Sequence, residues 1–195
     1  MAIANEVEPR TRLWTLEEYY RLSELGFFQD QRVELIAGEI IQMPAQKNPH
    51  SLGIGLTEDA LRAAFGPNSW VRGQMSLDLS PHSVPDPDVA VVAGSKRSYA
   101  GKPVPTTALL IVEVSATTLH YDRGRKGSLY ASAGIADYWI LNVVDNQLEV
   151  YRDPAPDSAQ PFGYGYTTRL FLEPNDVVSP LAAPNAKITV ADLLP

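Results

Sequence analysis

The sequence predicts a mixed α/β (α+β) fold: a central mixed β-sheet flanked by helices, with extra antiparallel hairpins. Three observations carry this. Two short apolar runs, VAVVA within Val84–Ala93 and ALLIVEV at Ala108–Val114, have the length and branched content of buried strands. Further segments alternate apolar and polar residues with turn formers between them. Segments of helical spacing are interspersed among the strands rather than gathered at one end.

The elements follow in order. Thr15 and Glu18 form a T-x-x-E capping box, and Leu16, Tyr19, Tyr20 and Leu22 continue at helical spacing until Gly26. Arg32–Met43 reads as a hairpin turning at Ala37-Gly38. From His50 to Phe65, Leu52, Leu56, Leu61 and Ala64 give a helix closed by Gly66-Pro67, although Gly53 and Gly55 weaken it. Trp70–Leu79 alternates as a strand, and the two buried runs follow. Asp122–Gly134 reads as a helix, then Tyr138–Val143 and Gln147–Tyr151 as a hairpin around Asp145-Asn146. Residues 153–161 read as a loop, Gly165–Leu172 as a strand, and Ile188–Leu194 as a short strand or helical turn.

Composition narrows the function. The 195 residues fit one domain, and the formal net charge is −7, which argues against a protein that coats phosphates without regard to sequence. The absence of cysteine removes disulfides, thiolate zinc sites and cysteine nucleophiles. The three histidines, His50, His82 and His120, are too few to suggest a structural zinc site, and neither a phosphate-cradling Gly-rich loop nor H-E-x-x-H occurs. The polar start and the shortness of the apolar runs lead to the expectation of a soluble, cytoplasmic protein without a membrane segment.

Two carboxylates stand out. Glu113 interrupts LLIVEV, and Asp88 opens VAVVA in the string Pro85-Asp86-Pro87-Asp88. A carboxylate within a buried strand must be paired, protonated or bound to metal. The plain alternative is an ion pair with an arginine such as Arg32 or Arg123. Two carboxylates converging from neighbouring strands suit a hard cation such as Mg²⁺, which takes one or two carboxylates plus water and phosphate.

In order along the chain stand W-T-L-E-E-Y (Trp14–Tyr19), R-V-E-L-I-A-G-E-I (Arg32–Ile40), P-D-V-A-V-V (Pro87–Val92), I-V-E-V-S (Ile111–Ser115), Y-D-R-G-R-K (Tyr121–Lys126) and L-Y-A-S-A-G-I-A-D-Y-W-I-L (Leu129–Leu141). In this series the chain resembles the Uma-two family of bacterial restriction endonucleases in the PD-(D/E)xK nuclease superfamily. The resemblance covers about residues 14–152. It implies a restriction-endonuclease-like fold with a nuclease-like core, on which 153–195 would pack as C-terminal strands and tail within a single domain, 1–195. It also implies a catalytic set of Asp88, Glu113, Lys126 and Glu34, with Asp88, Glu113 and Glu34 holding Mg²⁺ (or Mn²⁺), and Lys126 positioning the attacking water. The substrate implied is DNA, expected as duplex, cut by a homodimer whose interface the hairpin Tyr138–Tyr151 would supply unless it is core.

In the commoner superfamily pattern the lysine lies two residues after the second carboxylate, on the same strand face. That slot here is Ser115, so the resemblance implies a lysine migrated to the following helix, as Lys126; read alone, Lys126 is an ordinary surface lysine. Ala116 stands where many relatives carry Asp or Ser-Pro. The alternative function is a catalytically inactive nuclease-fold module that binds nucleic acid or protein. Four accessory candidates remain: His50, a phosphate contact or a helix-end group; Gln74, a mid-strand residue near the metal or a cross-strand partner; Asp86, an outer carboxylate or a turn residue; and Tyr130, a hydrogen-bond partner of the site or a packing residue. The basic groups expected to meet DNA are Arg123, Arg125 and Lys126.

Overall fold

The computed structural model describes residues 9–195. Its centre is a six-stranded mixed sheet whose strands lie side by side in chain order. The strands are β3 (Ser69–Gly73), β4 (Val89–Ala93), β5 (Leu110–Ser115), β6 (Asp137–Asn142), β7 (Gln147–Pro156) and β8 (Tyr164–Leu172). All neighbours are antiparallel except β5 and β6. That parallel pair needs a crossover. An irregular helix supplies it: α3 (Leu119–Tyr121), a π-helical stretch over Asp122–Lys126, and α4 (Gly127–Ser132).

Apolar side chains cover both faces of the sheet. On one face α2 (Asn48–Phe65) lays Ile54 and Leu61 over Val89, Val91, Val112, Val114, Trp139 and Leu141. Gly53 makes this approach possible, since a Cβ there would lie 3.1 Å from Val114 and 3.4 Å from Leu141. The glycine that weakens the helix signal is thus what seats the helix. The tail joins this face: Val178 of β9 (Val177–Val178), Ile188 of β10 (Ile188–Thr189), Val190 and Leu193 are buried in the same cluster. On the other face Tyr130 and Ala131 pack on Ala90, Ile111, Tyr138, Ile140, Tyr151 and Tyr166. Each large apolar side chain buried in this way contributes about 1.5–3 kcal/mol.

Outside the sheet, α1 (Leu16–Glu24) begins at Thr15 with the expected capping box. The hairpin of β1 (Val33–Ile36) and β2 (Glu39–Gln42) turns at Ala37 and Gly38, both at positive φ. It docks through Val84, whose amide donates to the Leu35 carbonyl at 2.7 Å.

Several sequence boundaries move. The strand expected over Trp70–Leu79 ends at Gly73, because Gln74 adopts φ 50° and turns the chain; Gln74 is therefore not mid-strand. The helix expected from Asp122 starts three residues earlier, at Leu119. The loop expected from residue 153 gives way to β7, which runs on to Pro156. Its prolines are tolerated because β6 begins opposite Arg152, so Pro154 and Pro156 pair only with β8 and need no amide on the other side. The tail forms both alternatives, the short β10 and then a helical turn over Val190–Asp192. The hairpin Tyr138–Tyr151 is core: Tyr138 and Trp139 are fully buried, which removes it as a dimer interface. No helix among the described residues is long and apolar enough to cross a membrane.

Candidate active site

Sheet register brings the two singled-out carboxylates together. Val89 pairs with Val112, so the residue before Val89 faces the residue after Val112: Asp88 lies opposite Glu113. The Asp88 amide donates to Glu113 Oε2 at 3.3 Å, and Asp88 Oδ2 accepts from the Val114 amide at 2.9 Å. Asp88 thus leads into β4 and continues the ladder with its own side chain.

The crossover helix then adds a cation. Lys126 Nζ donates to Glu113 Oε1 at 3.0 Å and to Glu34 Oε1 at 3.1 Å. Lys126 is only 2% exposed, so its ordinary surface reading is wrong. The reason is tertiary: the π-helical stretch turns Lys126 toward the sheet, onto the face that carries Glu113. Tyr130, one turn on, donates its hydroxyl to Glu113 Oε1 at 2.6 Å. Glu34 arrives from β1. The four residues expected in the catalytic set therefore converge, from β1, the start of β4, β5 and the crossover helix.

The accessory candidates divide. His50, in the first turn of α2, lies with Nε2 3.1 Å from Asp88 Oδ1 and 2.9 Å from Gln46 Nε2. Gln74 reaches Asp88 Oδ1 only at 3.5 Å, the outer limit of a hydrogen bond. Asp86 borders the same cavity as Asp88, and its Oδ1 is buried without a hydrogen-bond partner. Two further residues carry no sequence signal or a weak one. Gln46 donates to Asp88 Oδ1 at 3.3 Å from an irregular segment. Asp122, inside the Y-D-R-G-R-K string, is buried and accepts from the Thr118 hydroxyl at 2.6 Å. Its place beside Lys126 in that string is the one clue that marked it.

Charge balance defines the chemistry. Glu34, Asp86, Asp88, Glu113 and Asp122 all border one cavity of about 140 Å³, and Lys126 is the buried cation among them. Burial pushes the Glu113 carboxyl up to about 8, against the pull of Lys126. Burial also raises Glu34, Asp86 and Asp122. For Asp88 burial acts in the same sense, but the His50 contact, the Lys126 charge and the Val114 amide outweigh it and hold the carboxyl below its usual range. Burial disfavours the Lys126 ammonium, yet Glu113, Glu34, Asp122 and Asp88 together hold its pKa well above the ordinary value. Lys126 is therefore a fixed cation that donates hydrogen bonds and does not take up protons.

The basic groups expected to meet DNA are engaged elsewhere. Arg123 makes a two-pronged ion pair with buried Glu149, at 2.6 and 2.9 Å. Arg125 pairs with Glu39. The exposed cations at the cavity mouth are Arg32 and Lys47, which form no ion pair among the described residues.

Over residues 16–191 the chain matches the family model Uma2, whose description is "Putative restriction endonuclease". The chain belongs to the Uma2 family. Its fold is also that of a crystallised "putative nuclease belonging to DUF820" from Anabaena variabilis, with a TM-score of 0.67 at 17% identity over 92% of this chain and 96% of that one. At that identity the likeness concerns the fold alone. No curated protein matches the chain.

The chemistry of the cavity suits a divalent cation. Glu34 Oε2, in the same cavity as Asp88 and Glu113, is a buried acceptor without a donor, an unsatisfied oxygen that suits a hard dication. Among the described residues no group of three His, Asp or Glu side chains is arranged to hold a metal by itself. A cation here would rest on two carboxylates and draw its other ligands from water and substrate, as Mg²⁺ commonly does. The residues fit.

Proposed function

We propose that this protein is a metal-dependent endonuclease that hydrolyses DNA phosphodiester bonds, with Mg²⁺ or Mn²⁺ as cofactor. The observation that carries this reading is the buried ammonium of Lys126 shared by Glu113 and Glu34 beside Asp88, on the floor of an open cavity. Asp88 and Glu113 would hold the cation, with Glu34 assisting. Bound there, it supplies Lewis acidity toward a phosphoryl oxygen and lowers the pKa of a coordinated water.

The other roles belong to the chain. Lys126 orients the attacking water and places fixed positive charge where the phosphoryl oxygens gain negative charge. Glu34 and Tyr130 hold Lys126 and Glu113 in position. His50 and Gln46 hold Asp88 Oδ1. Arg32 and Lys47 offer phosphate contacts at the mouth. The Ser115 slot needs no cation, since Lys126 reaches Glu113 from the crossover helix. A two-fold homodimer would match the symmetry of a duplex, and sedimentation at varied concentration tests it.

The decisive experiment is cleavage of supercoiled plasmid with Mg²⁺ or Mn²⁺. Wild type nicks and linearises it, while Asp88→Ala and Lys126→Ala lose at least about a hundredfold in rate, the scale of removing a preorganised electrostatic group. Variants that cut as fast as wild type would refute these roles. A wild type that binds DNA but never cuts would leave the inactive binding module.

A further inference from the structure

A second cleft, of about 300 Å³, adjoins the catalytic cavity. Arg32, Glu34, Met43 and Asp86 form a wall common to both. Its far side is aromatic. Tyr19 and Phe28 stack with ring centroids 5.5 Å apart, and Tyr20 lies against Tyr19 at 5.8 Å. The polar ends of both tyrosines are already used, Tyr19 Oη on the Val33 carbonyl and Tyr20 Oη on Asp78. Tyr19 is itself buried, so the ring surface that the cleft offers a ligand comes from half-buried Tyr20 and Phe28. The shared wall offers the opposite chemistry. Asp86 Oδ1 there is buried and accepts no hydrogen bond. Buried acceptors left in this state cost free energy until a donor reaches them.

A flat apolar ligand with N–H donors on its edge satisfies both walls. We propose that this cleft is a nucleobase subsite that takes one unpaired base next to the scissile phosphate and prefers bases with an exocyclic amino group. The proposal rests on the nuclease reading of the neighbouring cavity. Three features favour a base over a small free amine. The aromatic side matches a π-face, and base–aromatic stacking does not need a particular base. The acceptor side matches an amino edge, the chemistry by which a carboxylate recognises cytosine N4. Arg32, exposed and free of ion pairs among the described residues, lies on the common wall where a phosphate joining the two subsites would pass. Thymine, with carbonyl oxygens where cytosine and adenine carry amino groups, would set acceptor against acceptor. Accommodating a base from a duplex would require drawing it out of the stack.

The test is binding in EDTA, where no cleavage occurs, by fluorescence anisotropy of end-labelled short oligo(dC), oligo(dA) and oligo(dT). Wild type is expected to hold oligo(dC) and oligo(dA) at least about tenfold tighter than oligo(dT). Asp86→Asn places an amide at one acceptor and should reduce the preference to within about twofold. Gln31→Ala, on the exposed rim of the cleft, should weaken all three oligomers alike and cannot plausibly unfold the chain, so it controls for general damage. Equal affinity of wild type for oligo(dC) and oligo(dT), no binding of any of them, or a preference that survives Asp86→Asn overturns the subsite. Plasmid cleavage is scored separately. A protein that cuts but shows no base preference loses this proposal alone, and one that shows the preference but never cuts loses only the catalytic reading.

Discussion

Glu113 and Lys126 meet at 3.0 Å with both side chains almost completely buried, although one lies on a central strand and the other on the crossover that follows it. Glu34 shares the same ammonium at 3.1 Å. Three ionisable groups removed from water in this way depend on one another for their hydrogen bonds. The cost of separating them is the first property of the site that can be measured.

Lys126→Met removes the cation and leaves its partners. Breaking a buried ion pair from one side costs about 3–5 kcal/mol. Urea denaturation at pH 9 without metal, above the Glu113 value of about 8, should show that loss. It should shrink at pH 5, where Glu113 is protonated. A Met side chain tolerated without loss at pH 9 would contradict the shared-cation description.

The Glu113 carboxyl, raised to about 8, makes stability depend on pH with a definite sign. The folded protein binds this proton more tightly than the unfolded chain, whose glutamate titrates near about 4.3. Its contribution is fully present below that value and is lost as pH rises through 8. Metal-free protein should therefore lose stability between about pH 5 and 9, and Glu113→Gln, which cannot ionise, should flatten that fall. An unchanged pH profile in the variant would assign the dependence to other groups.

Metal binding should run against the same proton. A carboxylate must be ionised to hold Mg²⁺, so binding displaces the Glu113 proton and tightens as pH approaches 8. Calorimetric titration in buffers of different ionisation enthalpy reads the protons released. Wild type should release about one below pH 8, and Glu113→Gln should bind Mg²⁺ more weakly and release fewer. Identical proton release by both proteins would remove Glu113 from the ligand set.

Gly53 and Gly55 separate packing from propensity on one helix. A Cβ at Gly53 would meet Val114 at 3.1 Å, whereas nothing lies within 4 Å of one at Gly55. Gly55→Ala should raise stability by up to about 1 kcal/mol through helix propensity. Gly53→Val should lower it by about 1–3 kcal/mol through overpacking against β5 and β6. Thermal melts of the two variants compare them directly, and melting shifts of the same sign would contradict the seating of α2.

Much of this protein was legible one segment at a time. The capping box at Thr15, the Ala37-Gly38 turn, the buried runs of β4 and β5 and the carboxylates within them are local patterns, and local patterns are written in adjacent residues. The ordered motifs also marked Glu34 and Lys126 by resemblance. Other features depended on partners distant in sequence. Gln74 leaves its strand at positive φ, and Pro154 and Pro156 enter one because β6 does not extend alongside them. Whether Lys126 is a surface lysine or a buried cation was decided by a π-helical stretch and by carboxylates 13 and 92 positions away. The same holds for Gln46, which has no distinguishing pattern and gains its place at Asp88 only when α2 closes over the end of the sheet. The sequence by itself determined which residues are out of place, since a charge in an apolar strand can be read from its neighbours. Only the tertiary structure decided which of them compensate one another, because that compensation acts across space through hydrogen bonds and Coulomb attraction of a few ångströms' reach.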